Sequence, residues 1–123
     1  MALDATPGGP GANAYCDQAF ATGYFAELLS AVSAPWTAAS PSDKDGALIT
    51  ATRRLEQEEY RGWRATNAQA LKWPRNAVQN PDSGQVYDPT VVPDGVKRAT
   101  CELALALIND NTLLVNTGME GFQ

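Results

Sequence analysis

Histidine is absent from this chain of 123 residues. That removes the commonest general base at neutral pH and the commonest metal ligand together. Cysteine is scarce: Cys16 and Cys101 are the two present, and neither lies in a C-x-x-C or Cys/His metal-binding spacing. Both thiols are expected to be small buried hydrophobes in a reducing compartment. Long apolar runs are missing as well. None approaches the ~20 residues that cross a bilayer, and the N-terminus shows no basic region followed by an apolar one, so neither a membrane span nor a signal peptide is expected. Basic residues are outnumbered, nine Lys and Arg against fourteen Asp and Glu, for a net charge of −5. Such a balance argues against a protein given over to gripping phosphate. It leaves room for a local basic patch, or for a wall that faces DNA without holding it.

The chemistry that remains is thin. No histidine can activate a serine or threonine, and no G-x-S-x-G elbow occurs. Gly8-Gly9-Pro10-Gly11 lacks the lysine and preceding strand of a phosphate loop. Asp43 and Asp45 lack the further oxygen ligands of a calcium loop. Glu56, Glu58 and Glu59 cluster beside Arg53, Arg54 and Arg61, which reads as a solvated ion-pair surface. No catalytic residue, metal site or cofactor site is therefore expected, and no enzymatic activity.

Hydrophobic residues make up 44% of the chain, enough for one ordinary core. Residues 1–12, rich in Gly and Pro, read as an extended N-terminal arm. Residues 13–110 read as a helical domain, and 111–123 as a short, partly apolar tail. The first helix is expected to start at Asn13, a good N-cap, and to stop near Ser33 because Pro35 disfavours helical geometry before it. Cys16, Phe20, Tyr24 and Leu28, with Ala21, Phe25, Leu29 and Val32 beside them, form its apolar stripe. A second helix spans about 41–57, capped by Ser40 with Pro41 at the first position. Thr66-x-x-Gln69 reads as a capping box opening a short helix to about Leu71. Asn80-Pro81-Asp82-Ser83-Gly84 marks a turn, flanked by a small hairpin or by loops. The last long helix starts at Pro93 or Asp94, with Val96, Ala99, Leu103 and Leu107 on one face and Thr100, Ala104 and Ile108 beside it. The fold class is all-α: a bundle of about four helices, an irregular middle loop and two extended arms. Trp36, Trp63 and Trp73 are expected as large packing pieces, and Leu28, Leu48, Leu55, Leu71, Leu103 and Leu107 as core.

One constellation is dense. Residues 60–75 hold Tyr60, Arg61, Trp63, Arg64, Lys72, Trp73 and Arg75. Aromatics interleaved with cations can stack bases and touch phosphates, as in single-strand binders. They can equally fill the gap between helices, with arginine stems covering the indoles. Arg75, following Pro74, has the planar fork that suits unpaired helix-end carbonyls.

The same residues carry a family resemblance. Asn13-Ala14-Tyr15, Ala47-Leu48-Ile49, Ala51-Thr52-Arg53, Gly62-x-Arg64, Gln69-Ala70-Leu71-x-Trp73-Pro74-Arg75, Pro93-x-x-Val96-Lys97-x-Ala99 and Cys101-Glu102-Leu103-Ala104 resemble a tailed-phage family labelled DnaT-like single-stranded DNA-binding protein. The resemblance covers about 13–108, and its specific part is Gln69–Arg75. Its helical pattern is similar to that of head–tail connector (adaptor) proteins. That likeness implies a structural subunit of a homo-oligomeric ring, a dodecamer, in the virion at the head–tail interface. The subunit would be made in the host cytoplasm, dock beneath the portal protein and meet a neck or tail-completion protein. DNA would pass through without specific binding. For such a subunit Leu113, Leu114, Val115, Met119 and Phe122 are the candidate partner contacts. The label implies the alternative, a phage single-stranded DNA-binding protein using Arg61, Trp63, Arg64, Trp73 and Arg75.

Overall fold

The computed structural model describes residues 2–109, and the segment 110–123 lies outside that range. The chain runs through α1 (Gln18–Phe25), α2 (Ser30–Ala38), α3 (Pro41–Leu55), β1 (Trp63–Arg64), β2 (Arg75–Asn76) and α4 (Asp94–Asn109). Helices dominate, as expected, and the described sheet is one short antiparallel pair. No described helix is long and apolar enough to cross a membrane.

The single helix expected over 13–33 is two helices. Asn13 cannot cap, because its side chain is spent on the N-terminal segment: Oδ1 accepts from the Asp4 amide at 2.8 Å and Nδ2 donates to the Ala2 carbonyl at 3.0 Å. The Tyr15 amide donates to Thr52 Oγ1 at 3.1 Å instead of entering a helix. Asp17 takes over as N-cap, accepting from the Phe20 amide. After α1 the chain turns through Leu29, whose extended backbone opens α2. Pro35 lies inside α2, not beyond a helix end. It costs that helix one backbone bond, and the burial of Trp36 offsets the loss. Trp36 stacks 5.0 Å from Phe25, ring to ring, and its Nε1 donates to Thr22 Oγ1 at 3.3 Å.

The two long helices begin where the sequence places them. Ser40 Oγ accepts from the Asp43 amide at 3.1 Å, Pro41 begins α3, and Asp43 sits in its first turn. α3 and α4 pack on each other, with α1 and α2 laid against α4. The core between them holds Ala21, Phe25, Trp36, Ala47, Leu48, Ala51, Cys101, Ala104 and Leu107. Its alanines let the helix backbones approach closely, and each fully buried leucine contributes about 1.5–3 kcal/mol. On α4 Thr100, Ala104 and Leu107 are buried as expected, but the buried face is centred toward Cys101 and Leu105, leaving Ala99 exposed and Leu103 only partly covered. Cys16 and Cys101 are buried free thiols, as expected, and meet with their sulfurs 3.7 Å apart.

A second, smaller core organises the middle of the chain. Tyr15, Trp73 and Val92 are its buried members, with Leu55, Tyr60, Leu71, Val78, Tyr87 and Val96 packed around them. The segment 78–87 forms the small hairpin: Gln79 bridges Val86, the Tyr87 amide donates to the Val78 carbonyl, and Asn80 and Gln85 close the turn. No helix follows Thr66. Gln69 Oε1 does accept from the Thr66 amide at 3.0 Å, as a capping box requires. However, its Nε2 donates to the Leu71 and Pro74 carbonyls at 2.8 and 2.9 Å, so this buried side chain staples a loop. The N-terminal segment has no regular structure but is fastened down. The Asp4 carbonyl accepts from the Asn13 and Ala14 amides, and the Gly9 carbonyl accepts from the Ala70 amide at 3.1 Å.

Candidate nucleic-acid interface

The dense segment 60–75 folds as a two-stranded ribbon closed by a loop. Trp63 pairs with Asn76 and Arg64 with Arg75, and the Ala65 amide extends the ladder to the Pro74 carbonyl. The Trp73–Pro74 peptide is cis. Gly62 starts the ribbon with φ at +73°, a conformation glycine adopts freely. A Cβ at that position would lie 2.0 Å from the Asn76 carbonyl oxygen and 2.9 Å from Val78 Cγ2. Only a glycine lets the two strands approach here.

Arg75 holds the ribbon from beneath. It is 9% exposed. Its Nε donates to the Arg61 carbonyl at 2.8 Å and Nη1 to the Lys72 carbonyl at 3.0 Å. Nη2 reaches the Gly62 and Tyr60 carbonyls at 2.8 and 3.3 Å. The planar fork thus satisfies carbonyls that have no strand or helix partner, the role its position after Pro74 suggested. The Tyr60, Arg61 and Gly62 carbonyls belong to the loop that leaves α3, past the helix end, and the Lys72 carbonyl to the loop that precedes β2.

Glu56 anchors the same region from the end of α3. Both its carboxylate oxygens lie within 3.1 Å of the Lys72 amide, and it accepts from the Tyr15 hydroxyl. It is therefore not part of a solvated ion-pair surface, which corrects the expectation for this residue. Burial, followed by the bond to Glu56 and its charge, pushes the Tyr15 hydroxyl above the ordinary tyrosine range. Burial, then the charges of Glu56 and Glu58, raises the Tyr60 hydroxyl too. Sequence reasoning missed Glu56, Gln69 and Tyr15 as organisers. The capping-box spacing from Thr66 pointed to Gln69, and the family segments contain Tyr15 and Gln69, but nothing pointed to Glu56.

The five candidate nucleic-acid residues fall into two groups. Trp73 is 6% exposed and packs edge-on against Tyr60 and Tyr87. With Arg75 it forms the ribbon's support. Trp63 is 60% exposed, so it is not the packing piece expected of it. Both residues of β1 are exposed, whereas Trp73 precedes β2 and is a buried member of the second core. Arg61 and Arg64 flank Trp63 and are exposed. Arg64 keeps one long contact, Nη1 to the Gln69 carbonyl at 3.4 Å. Lys72 is turned back, its Nζ donating to the Glu58 carbonyl at 2.8 Å. Residues 60–75 carry four of the nine cations and none of the fourteen acids. The remaining candidates, Leu113, Leu114, Val115, Met119 and Phe122, lie outside the described residues. Among the described residues no three His, Cys, Asp or Glu side chains come together as a metal site.

Fold and site together define a small helix-dominated domain that carries an exposed, basic, aromatic ribbon. Across residues 1–121 the chain matches the family described as "Putative DnaT-like ssDNA binding protein", and it belongs to that family. No curated protein and no solved structure matches it. The family match supports the single-strand-binding side of the resemblance and gives the connector ring no support of its own.

Proposed function

We propose that this protein binds single-stranded DNA through the Arg61–Arg64 ribbon and is a binding protein with no catalytic role. The observation that carries the reading is the exposed indole of Trp63 between two exposed arginines, on a backbone that Gly62 and Arg75 hold rigid. A base stacked on an aromatic ring contributes about 1–3 kcal/mol, and any base offers a π-face. Rigidity matters because an ordered platform loses little entropy on binding. The acidic charge is not an obstacle, since all fourteen acidic residues lie outside 60–75 and restrict binding to this face.

The test is an anisotropy titration of labelled oligonucleotides at several salt concentrations. Two phosphates met by Arg61 and Arg64 contribute about −1.4 to the slope of log K against log salt, at about −0.7 each. The double variant R61A/R64A should lose that share. An unchanged slope would remove these arginines from the interface.

A structural role in a virion is the second reading. The observation favouring it is the acidic excess of the chain together with exposed Leu29, the residue before α2, and Val32 on α2, which offer apolar contact to a neighbour. Copies would close head-to-tail into a twelve-fold ring between the portal and a neck or tail-completion protein. In purified virions this predicts about one copy per portal subunit.

A further inference from the structure

A cavity of about 480 Å³ opens beside the ribbon, in the size range of small-ligand sites. Tyr60, Trp73 and Tyr87 are its aromatic lining, Val96 and Ala99 of α4 line it too, and Arg61 and Glu59 are among its polar lining. The three rings are locked edge to face, Tyr60–Trp73 at 5.4 Å and 70°, Trp73–Tyr87 at 5.9 Å and 90°. Trp73 Nε1 is buried with no hydrogen-bond partner among the described residues, a donor left over on a residue that lines the cavity. Arg61, which lines the cavity, is two residues from Trp63, at most ~7 Å along the backbone. Neighbouring nucleotides of one strand can therefore occupy the ribbon and the cavity together.

We infer that this cavity is a nucleobase pocket, taking one unstacked base of the strand that Trp63 holds and preferring bases with an exocyclic amino group. The inference rests on the single-strand-binding reading and names the subsite and its selectivity. An aromatic wall suits a flat heteroaromatic ring. Arg61 meets the phosphate that follows the base into the cavity, and this charge complementarity favours a nucleotide over an uncharged ligand. Glu59 is an acceptor for an amino proton, which cytosine N4 and adenine N6 carry and thymine lacks. The base needs no partner strand, because the pocket replaces both its stacking and its pairing.

Three proteins decide the matter: wild type, Glu59→Ala and Ala99→Phe. Ala99 is exposed on α4, so a phenylalanine there fills the cavity from its rim without entering the core. Each is titrated with oligo(dC) and oligo(dT) of equal length, read by anisotropy and by quenching of Trp63. Wild type should bind oligo(dC) about fivefold more tightly, the value of one net hydrogen bond. Glu59→Ala and Ala99→Phe should both abolish the preference while quenching by either oligonucleotide persists. Equal binding of the two by wild type, with Ala99→Phe unchanged, overturns the pocket and leaves the ribbon reading intact. Loss of binding and quenching with both oligonucleotides in wild type overturns the ribbon reading, and the pocket with it. Tetramethylammonium is the control ligand: saturable binding of it that oligonucleotide does not displace would make the cavity an ammonium cage, and would also overturn the inference.

Discussion

Replacing Arg75 with methionine keeps the side chain's apolar stem and removes all five of its donors. Two bonds at 2.8 Å, to the Arg61 and Gly62 carbonyls, are lost outright. At about 1.5 kcal/mol each for bonds from a charged group, they account for about 3 kcal/mol. The 3.0 Å bond to the Lys72 carbonyl adds about 1 kcal/mol before water reaches the freed oxygens. The expected loss is therefore about 3–4 kcal/mol, or a fall in melting temperature of at least ~12 °C for a domain near this size. Arg75→Lys should recover less than half, because one ammonium cannot span carbonyls that the fork reaches from three nitrogens. Urea unfolding followed by circular dichroism is the assay, with an unchanged m-value showing that the denatured state is unaltered. A methionine variant within ~1 kcal/mol of wild type would refute the reasoning. It would mean that water satisfies these carbonyls as well as the guanidinium does.

Gly62→Ala should destabilise by at least about 2 kcal/mol and weaken oligonucleotide binding, since its Cβ meets the Asn76 carbonyl and φ is positive; a neutral melt would show that the ribbon can part. The Tyr15 hydroxyl is raised in the folded state, so its stabilising contribution is complete below the unfolded value near ~10 and is lost as pH rises above it. Tyr15→Phe should therefore flatten the alkaline fall in the denaturation midpoint, and parallel curves for the two proteins would contradict the assignment. Cys16 and Cys101, both buried, should resist iodoacetamide in the native protein and react fully in urea. Rapid native labelling would show that the contact between the segment before α1 and α4 opens.

Legibility followed locality. Ser40-Pro41-x-Asp43 and Pro93-Asp94 define helix starts within a few residues, and α3 and α4 begin there. Asn13 has the same local credentials but spends its side chain on Asp4 and Ala2, a contact no window around it contains. Pro35 obeys a rule that the burial of Trp36 overrides. In the candidate site the composition of 60–75 was visible, yet Trp63 and Trp73 are the same residue ten positions apart with cations around both. Their opposite fates depend on strand pairing and on the second core, neither of which periodicity reports. Glu56 looked like one of three surface carboxylates until Tyr15 and Lys72 arrived from distant parts of the chain.

The central claim is that a single strand stacks on Trp63, and tryptophan fluorescence tests it most directly. Trp36 and Trp73 are buried and Trp63 is 60% exposed, so most of the quenching by an oligonucleotide comes from Trp63. Titration of wild type with a short single-stranded oligonucleotide should quench emission in a saturable, salt-sensitive manner. Trp63→Ala should lose most of the quenching and about 1–3 kcal/mol of affinity while keeping its melting temperature. Undiminished quenching and affinity in Trp63→Ala, or none in wild type at low salt, would contradict it.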